Sequence, residues 1–319
     1  MDIGIIGGGF FGVSTALLAE ERGHTYTVYD ADKDDAASPS AMGVIDEGWF
    51  DSEGTNIPDR FSAEDEEWAI EWLMDMGNLD YVDEHYTTLY GTDDKLKEDS
   101  KIMGDPHEFL ELISRVDGTA TQIQHVGDRW SIDFTDRSPE YHDAVVVAAG
   151  IHTDEILRES GYAETGVQPL VGRALIVEPE TKSTEEVIEE LLPHEYYFAA
   201  YRHCFIRPWH GNIRIGDSVE GREPDEETLM EFKEAAEEII DDTLNVVDRY
   251  EGCRPVVKKD GVGNQFVVEH LDSYAVAATG GHRIGWMTSP LAAQWVLDTL
   301  DGSQDVTPQS PDVTPLTNF

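Results

Sequence analysis

The chain has 319 residues, 40% of them hydrophobic, which is enough for one large domain or two intimately linked ones and excludes global disorder as the default. Its 66 acidic residues against 22 basic ones give a formal net charge of −44, which repels nucleic acid and anionic membranes. The acidic residues are scattered through every segment, as expected of a whole surface that works in molar salt, where charges are screened within ~3 Å.

Ile3-Gly4-Ile5-Ile6 reads as a short apolar strand and is followed by the glycine cluster Gly7-Gly8-Gly9-Phe10-Phe11-Gly12. From Val13 the apolar residues recur at helical spacing until Gly23, where a helix stops. Tyr26-Thr27-Val28-Tyr29 is a second strand, closed by Asp30. This strand–turn–helix–strand context makes the glycine pattern a dinucleotide-binding signature. Gly7 permits the tight turn, Gly9 lets the backbone approach a pyrophosphate, and Gly12 lets the helix lie close to the sheet. The helix aims its unpaired N–H groups at the phosphates. Asp30, eighteen residues beyond Gly12, stands where a carboxylate accepts ribose hydroxyls and repels a 2′-phosphate. The motif specifies an adenine dinucleotide without saying which.

Residues 31–46 form a loop of small and hydroxyl residues that can pass close to a ligand. Glu64–Met76 is an amphipathic helix, and Leu89–Asp105 a solvated connection. A helix is expected from Asp105 to Arg115, with Phe109, Leu110, Leu112 and Ile113 facing inward. Thr119–Val126 and Arg129–Phe134 form a strand pair, and Asp143–Gly150 is a buried strand reaching a ligand crevice. Val167–Pro179, Tyr196–Arg207 and Asn212–Gly216 read as strands, the last two joined by Trp209-His210-Gly211-Asn212. Thr228–Asn245 is an acidic helix with a solvated face. Glu251–Pro255 leads into a turn at Asp260-Gly261, and Ser273–Ala278 is a strand followed by a second glycine turn, Thr279–Gly285. A helix is expected from Ser289-Pro290, serine as cap and proline in the first turn, to Leu300. This second strand–turn–helix unit implies a dinucleotide fold split by an inserted substrate region.

Two cysteines, Cys204 and Cys253, make no disulfide framework. The chain enters its first strand at once, and no apolar run approaches the ~20 residues of a membrane helix. A soluble cytoplasmic protein is expected. His85, His125, His194, His203, His210, His270 and His282 show no metal-ligand spacing, so no metal site is assigned.

Taken together, these pieces resemble the FAD-dependent D-amino-acid oxidase superfamily, especially its glycine oxidase and sarcosine oxidase branch. The marks are Gly7–Gly12 with Asp30, the Ser38–Val44 loop, Val145–Gly150, Pro169–Gly172, Ile206-Arg207-Pro208, Gly252–Pro255 and Thr279–Pro290. The fold class implied is α/β, a Rossmann-like FAD-binding domain with an inserted antiparallel-sheet substrate domain. The FAD-binding domain would comprise 1–46, 105–165 and 250–302, the substrate or cap domain 47–104 and 166–249, and 303–319 a mobile tail. The resemblance implies that Phe10 and Phe11 flank the pyrophosphate and that Asp30, followed by Ala31, meets the ribose. Ala37, Ser38, Met42, Gly43 and Val44 would lie along the pyrophosphate and flavin, and Ile123–Val126 would meet the adenine. Gly150 would close the buried strand, and Gly281, His282, Arg283, Ile284, Gly285 and Trp286 would pass beside the flavin ring.

Arg254 and Arg283 fall where glycine-oxidase-like enzymes hold the substrate carboxylate, a task that suits the planar guanidinium. Structural salt bridges are the competing reading in so acidic a chain. Cys253 falls where sarcosine-oxidase relatives carry a flavin-linked cysteine, but those relatives lack the Arg254-Pro255 that follows it here. Two departures stand out: the segment between Gly43 and Asp105 is short, and of the family's catalytic tyrosines only Tyr197 and Tyr201 lie in the right region. The implied activity is oxidation of the C–N bond of an amino acid or secondary amine by hydride transfer to flavin N5, with oxygen or another electron acceptor. The alternatives are a flavin-dependent 2-hydroxy-acid dehydrogenase and a catalytically degenerate flavin-binding protein.

Overall fold

The computed structural model describes residues 1–41, 43–45, 60–76, 87–90, 102–191, 198–201, 204–217, 225–259 and 262–302. The first part runs β1 (Asp2–Ile6), α1 (Phe10–Glu21), β2 (Thr25–Asp30), β3 (Val44–Ile45), α2 (Ala63–Met76), β4 (Thr87–Tyr90), β5 (Ile102–Met103) and α3 (Pro106–Leu110). It continues with β6 (Arg115–Asp117), β7 (Ala120–Val126), β8 (Arg129–Phe134), β9 (Glu140–His142), β10 (Ala144–Val147) and α4 (Thr153–Glu159). Then come β11 (Val167–Pro179), α5 (Thr184–Leu191), β12 (Phe198–Tyr201), β13 (Cys204–Trp209), β14 (Asn212–Asp217) and α6 (Glu226–Ile240). The chain closes with β15 (Leu244–Lys259), β16 (Val262–Asp272), β17 (Ala275–Gly280) and α7 (Gly285–Leu300).

Five strands, β6-β2-β1-β10-β17, pair in parallel, and β16 adds antiparallel to β17. The central strands β1, β10 and β17 are apolar on both faces, because both faces are covered there. Ile3 and Ile5 of β1 and Val146 of β10 face a core made with α1, α2, α3 and α7. Ile6, Val145 and Val147 face the opposite way, against α4 and the small sheet β7-β8-β9. The unexpected third strand, β9, carries His142, whose ring takes the space a Cβ on Gly4 would need.

The antiparallel part continues the same sheet outward through β16-β15-β11-β14-β13-β12, with β4 parallel to β12 at the edge. Here, among the described residues, helices cover one face. Leu175, Val177, Ile213 and Ile215 are buried against α5 and α6. Strand alternation therefore turns Ala174, Arg214 and Gly216 the other way.

Several expected boundaries move. The helix over 105–115 is cut to α3, capped by Asp105 accepting the His107 N–H, because Arg115–Asp117 pairs with β2 instead; Leu112 is exposed. The acidic helix ends at Ile240, since Asp241 takes a left-handed φ of 53°, and Leu244 already belongs to a sixteen-residue strand. The expected strand over 196–207 contains two, β12 and β13, paired as a hairpin. The helix α2, assigned to the substrate region by sequence position, packs in the α1–α7 core, with Trp72 Nε1 donating to Glu21 at 2.9 Å. The turn at 260–261 and the tail 303–319 lie outside the described residues.

Ser289 does not cap α7, which begins at Gly285. It sits inside the helix, where its hydroxyl donates to the Trp286 carbonyl at 2.7 Å. That carbonyl would otherwise receive the N–H of residue 290, which Pro290 lacks. Among the described residues no helix is long and apolar enough to cross a membrane.

Candidate active site

The two glycine turns meet. A Cβ on Gly281 would lie 3.1 Å from the Phe11 ring and 2.8 Å from the Gly285 Cα. Phe10 stacks on Trp286 with ring centroids 5.1 Å apart and planes 5° from parallel. Thr279 Oγ1, at the end of β17, donates to the carbonyl of Gly150, beyond the end of β10, at 2.8 Å. Turns far apart in sequence are thus joined at the carboxyl ends of the parallel strands, where open α/β sheets bind ligands.

A cavity of about 650 Å³ opens there. One end is the first turn. Gly7 has φ +105°, and a Cβ on Gly12 would come 1.8 Å from the Gly7 carbonyl oxygen, so α1 approaches the sheet as closely as it does only with glycine there. Gly9 caps α1 without a side chain, and Ser38 Oγ accepts the Phe10 N–H at 3.1 Å. Asp30 accepts the N–H of Gly8 through Oδ2 and that of Asp32 through Oδ1 at 2.7 Å. The positive end of the α1 dipole therefore faces the cavity beside these groups.

The other wall comes from the antiparallel sheet. Arg254 on β15 lies across Gly172 on β11, where a Cβ would be 2.5 Å from a guanidinium nitrogen. Arg214 on β14 is 3% exposed, with its guanidinium 4.7 Å from the Trp209 ring centroid and 5.3 Å from that of Tyr250. It donates to the carbonyls of Ala41, at 3.0 Å, and Ser40. Burial pushes its pKa down to about 9, helped by the neighbouring cations Arg207 and Arg254. The loop it holds is also tied to β15 by the Cys253 N–H, which donates to the Asp35 carbonyl at 2.9 Å.

Of the residues assigned from sequence, Gly7, Gly9, Phe10, Phe11, Asp30, Ala31, Ala37, Ser38, Gly43, Gly150, Arg254, His282, Gly285 and Trp286 line this cavity. Gly12 and Gly281 stand behind it as packing hinges, and Ile284 is buried in the helical core. Val126 does not line it: it is 47% exposed near the tip of the β7–β8 hairpin, and Thr119, Ala120 and Thr121, at the other end of β7, line the cavity. Met42, Tyr197 and the side chains of Val44, Tyr201 and Arg283 lie outside the described residues. Sequence reasoning missed Arg214. Its signal was Ile213-Arg214-Ile215-Gly216, an arginine at the non-apolar position of an alternating strand. Among the described residues no His, Cys, Asp and Glu cluster could hold a metal ion.

No curated protein matches the chain in sequence. Among solved structures it is similar to glycine oxidase from Geobacillus kaustophilus, at 16% identity and a TM-score of 0.66, over 94% of each chain. It is also similar to L-amino acid deaminase from Proteus vulgaris lacking its specific insertion, at 15% identity and a TM-score of 0.64, over 97% of this chain and 91% of that one. Iminodiacetate oxidase from Chelativorans sp. BNC1 aligns at 14% identity and a TM-score of 0.60, over 97% of both chains. At such identities the likeness is one of fold. The sequence model of the DAO family, described as FAD dependent oxidoreductase, matches residues 2–117 and 114–299, and the chain belongs to that family.

Proposed function

We propose that the protein oxidises the C–N bond of an amino acid or secondary amine, holding the substrate carboxylate on Arg254. The observation that carries this reading is the single cavity that runs from the Gly7–Phe11 turn and Asp30 to the arginine-bearing wall of the antiparallel sheet. The residues present fit FAD. A Cβ on Gly150 or Gly285 would meet no protein atom, so the space each leaves free belongs to the cavity that both line. The first turn of α1 has no side-chain cap of its own from Gly9, which suits a phosphate. Asp30 would take the ribose, and the Trp286 Nε1–H, buried without a partner among the described residues, offers a donor at the wall.

When bound, FAD supplies a hydride acceptor at flavin N5 and passes the electrons to oxygen or another acceptor. The protein's own contribution is alignment and field. Arg254 would receive the carboxylate in two parallel hydrogen bonds, fixing the amine's approach. The N-terminus of α7, starting at the cavity-lining Gly285, places positive dipole where negative charge would develop. Stacked Phe10 and Trp286 give that end a stiff apolar wall that excludes water. The named neighbours, a glycine oxidase, an L-amino acid deaminase and an iminodiacetate oxidase, all take substrates in which an amine nitrogen sits near a carboxylate.

The test is the absorption spectrum of protein purified in high salt, then anaerobic titration with glycine, N-methylglycine, alanine and lactate. Bound flavin bleached by the amines, with ammonia or a primary amine released on turnover, is expected. Bleaching by lactate alone, or by none of them or of a wider amine panel, would refute the assignment.

A further inference from the structure

Among the described residues, the wall that β11, β14 and β15 give the cavity holds three guanidinium groups, Arg173, Arg214 and Arg254, and no carboxylate. The acidic residues that line the cavity, Asp30, Asp32, Asp35, Glu155 and Glu159, all come from the parallel-sheet side. The parallel-sheet side also carries Lys33 and Arg115 beside its acids, but a wall whose charged groups are arginines alone runs against the composition of a chain with 66 acidic and 22 basic residues. Arg173 is neutralised by Glu251 at 2.8 Å. Arg214 is held differently. Its two carbonyl acceptors are neutral, its Nε–H has no partner among the described residues, and the side chains whose electrostatics act on it are the cations Arg207 and Arg254 and the phenol of Tyr250. A guanidinium carries five N–H donors, so the two bonds to Ser40 and Ala41 leave donors over.

Gathering like charges in a buried wall is costly, and a bound anion offsets the cost. One carboxylate on Arg254 accounts for one cation only. We infer that the substrate carries a second carboxylate, and that Arg214 binds it; the preferred class is then an acidic amino acid or an N-carboxyalkyl amine. This rests on the reading of the cavity as the site of amine oxidation. The loop carbonyls already fix the Arg214 fork, so little freedom is lost when the anion arrives.

The experiment compares pairs that differ in one carboxylate, using FAD-loaded protein in high salt under anaerobic conditions. N-methylglycine is set against iminodiacetate, and alanine against aspartate and glutamate, with flavin bleaching as the readout. The better dicarboxylate is expected to exceed its partner by at least about 10-fold in the second-order rate constant of bleaching. A second readout needs no turnover: succinate should perturb the flavin spectrum with a Kd at least about 10-fold below that of propionate. Arg214→Gln should bring both ratios close to one, while Arg214→Lys, which keeps the charge, should retain part of the preference. If Arg214→Gln fails to fold, the wild-type ratios and Arg214→Lys decide. Wild-type ratios near or below one overturn the inference while leaving amine oxidation in place, whereas no bleaching by any amine overturns both. A variant that weakens FAD binding but leaves the ratios unchanged assigns Arg214 to the cofactor and also overturns it.

Discussion

At the scale of single residues, the site depends on side chains that are absent as much as on those present. Arg254 can cross the sheet only because Gly172 leaves room on the facing strand, so the P-x-x-G glycine and the arginine form one device. Arg254→Ala is expected to raise KM about 100-fold for carboxylated substrates, through loss of a charge-assisted pair, and far less for plain amines. Steady-state kinetics on paired substrates checks this, and equal effects on both would remove the assigned role. The opposite end has its own steric test. Gly12→Ala would put a methyl 1.8 Å from the Gly7 carbonyl oxygen, a backbone atom that cannot step aside. We expect a loss of about 1–3 kcal/mol in stability together with weakened FAD uptake, read by denaturant titration and flavin fluorescence. These glycines were legible because their spacing alone encodes the turn. Arg214 was not, because an arginine in a strand announces burial only once it is known which face of the sheet is covered and which lines a cavity.

Elements were read well where periodicity decided and poorly where a neighbour did. The strands β1, β2, β10 and β17 and the helix α1 follow from apolar patterning and glycine stops. The Ser289-Pro290 pair misled, since the same two residues that start helices elsewhere here repair one from within. Ser289 Oγ lies 2.7 Å from Ser14 Oγ as well as donating to Trp286, so one hydroxyl joins α1 to α7 and satisfies the carbonyl left by Pro290. Both serines are fully buried. Ser289→Ala should therefore cost about 1–3 kcal/mol, the penalty of stranding buried polar partners, against a much smaller cost for an exposed serine outside any element such as Ser138. Urea denaturation monitored by tryptophan fluorescence distinguishes the two. In the same way, α3 stops early because β6 completes the edge of a sheet, which no local pattern could reveal.

At the scale of the whole molecule, the second glycine turn implied a late strand and helix returning to the first sheet, and β17 indeed pairs in parallel with β10 while Gly281 packs against Phe11. The place of α2 was not readable, since an amphipathic helix declares that it packs without saying against what. Net charge acts at this scale too. A charge of −44 on one folded chain is self-repulsion that the unfolded chain relieves by expanding, and the exposed ion pairs, such as Arg158 with Glu164, offset little of it. Screening shortens from ~10 Å at about 0.1 M to ~3 Å at about 1 M salt, so most of that repulsion should vanish across this interval. The thermal midpoint is expected to climb steeply over the same range and then level off, with sodium and potassium chloride alike at equal ionic strength. A purely surface-exclusion effect would instead rise linearly into molar salt and separate chloride from sulfate. A midpoint flat from about 0.1 M to about 1 M salt would mean that the acidic surface exerts no net strain on the fold.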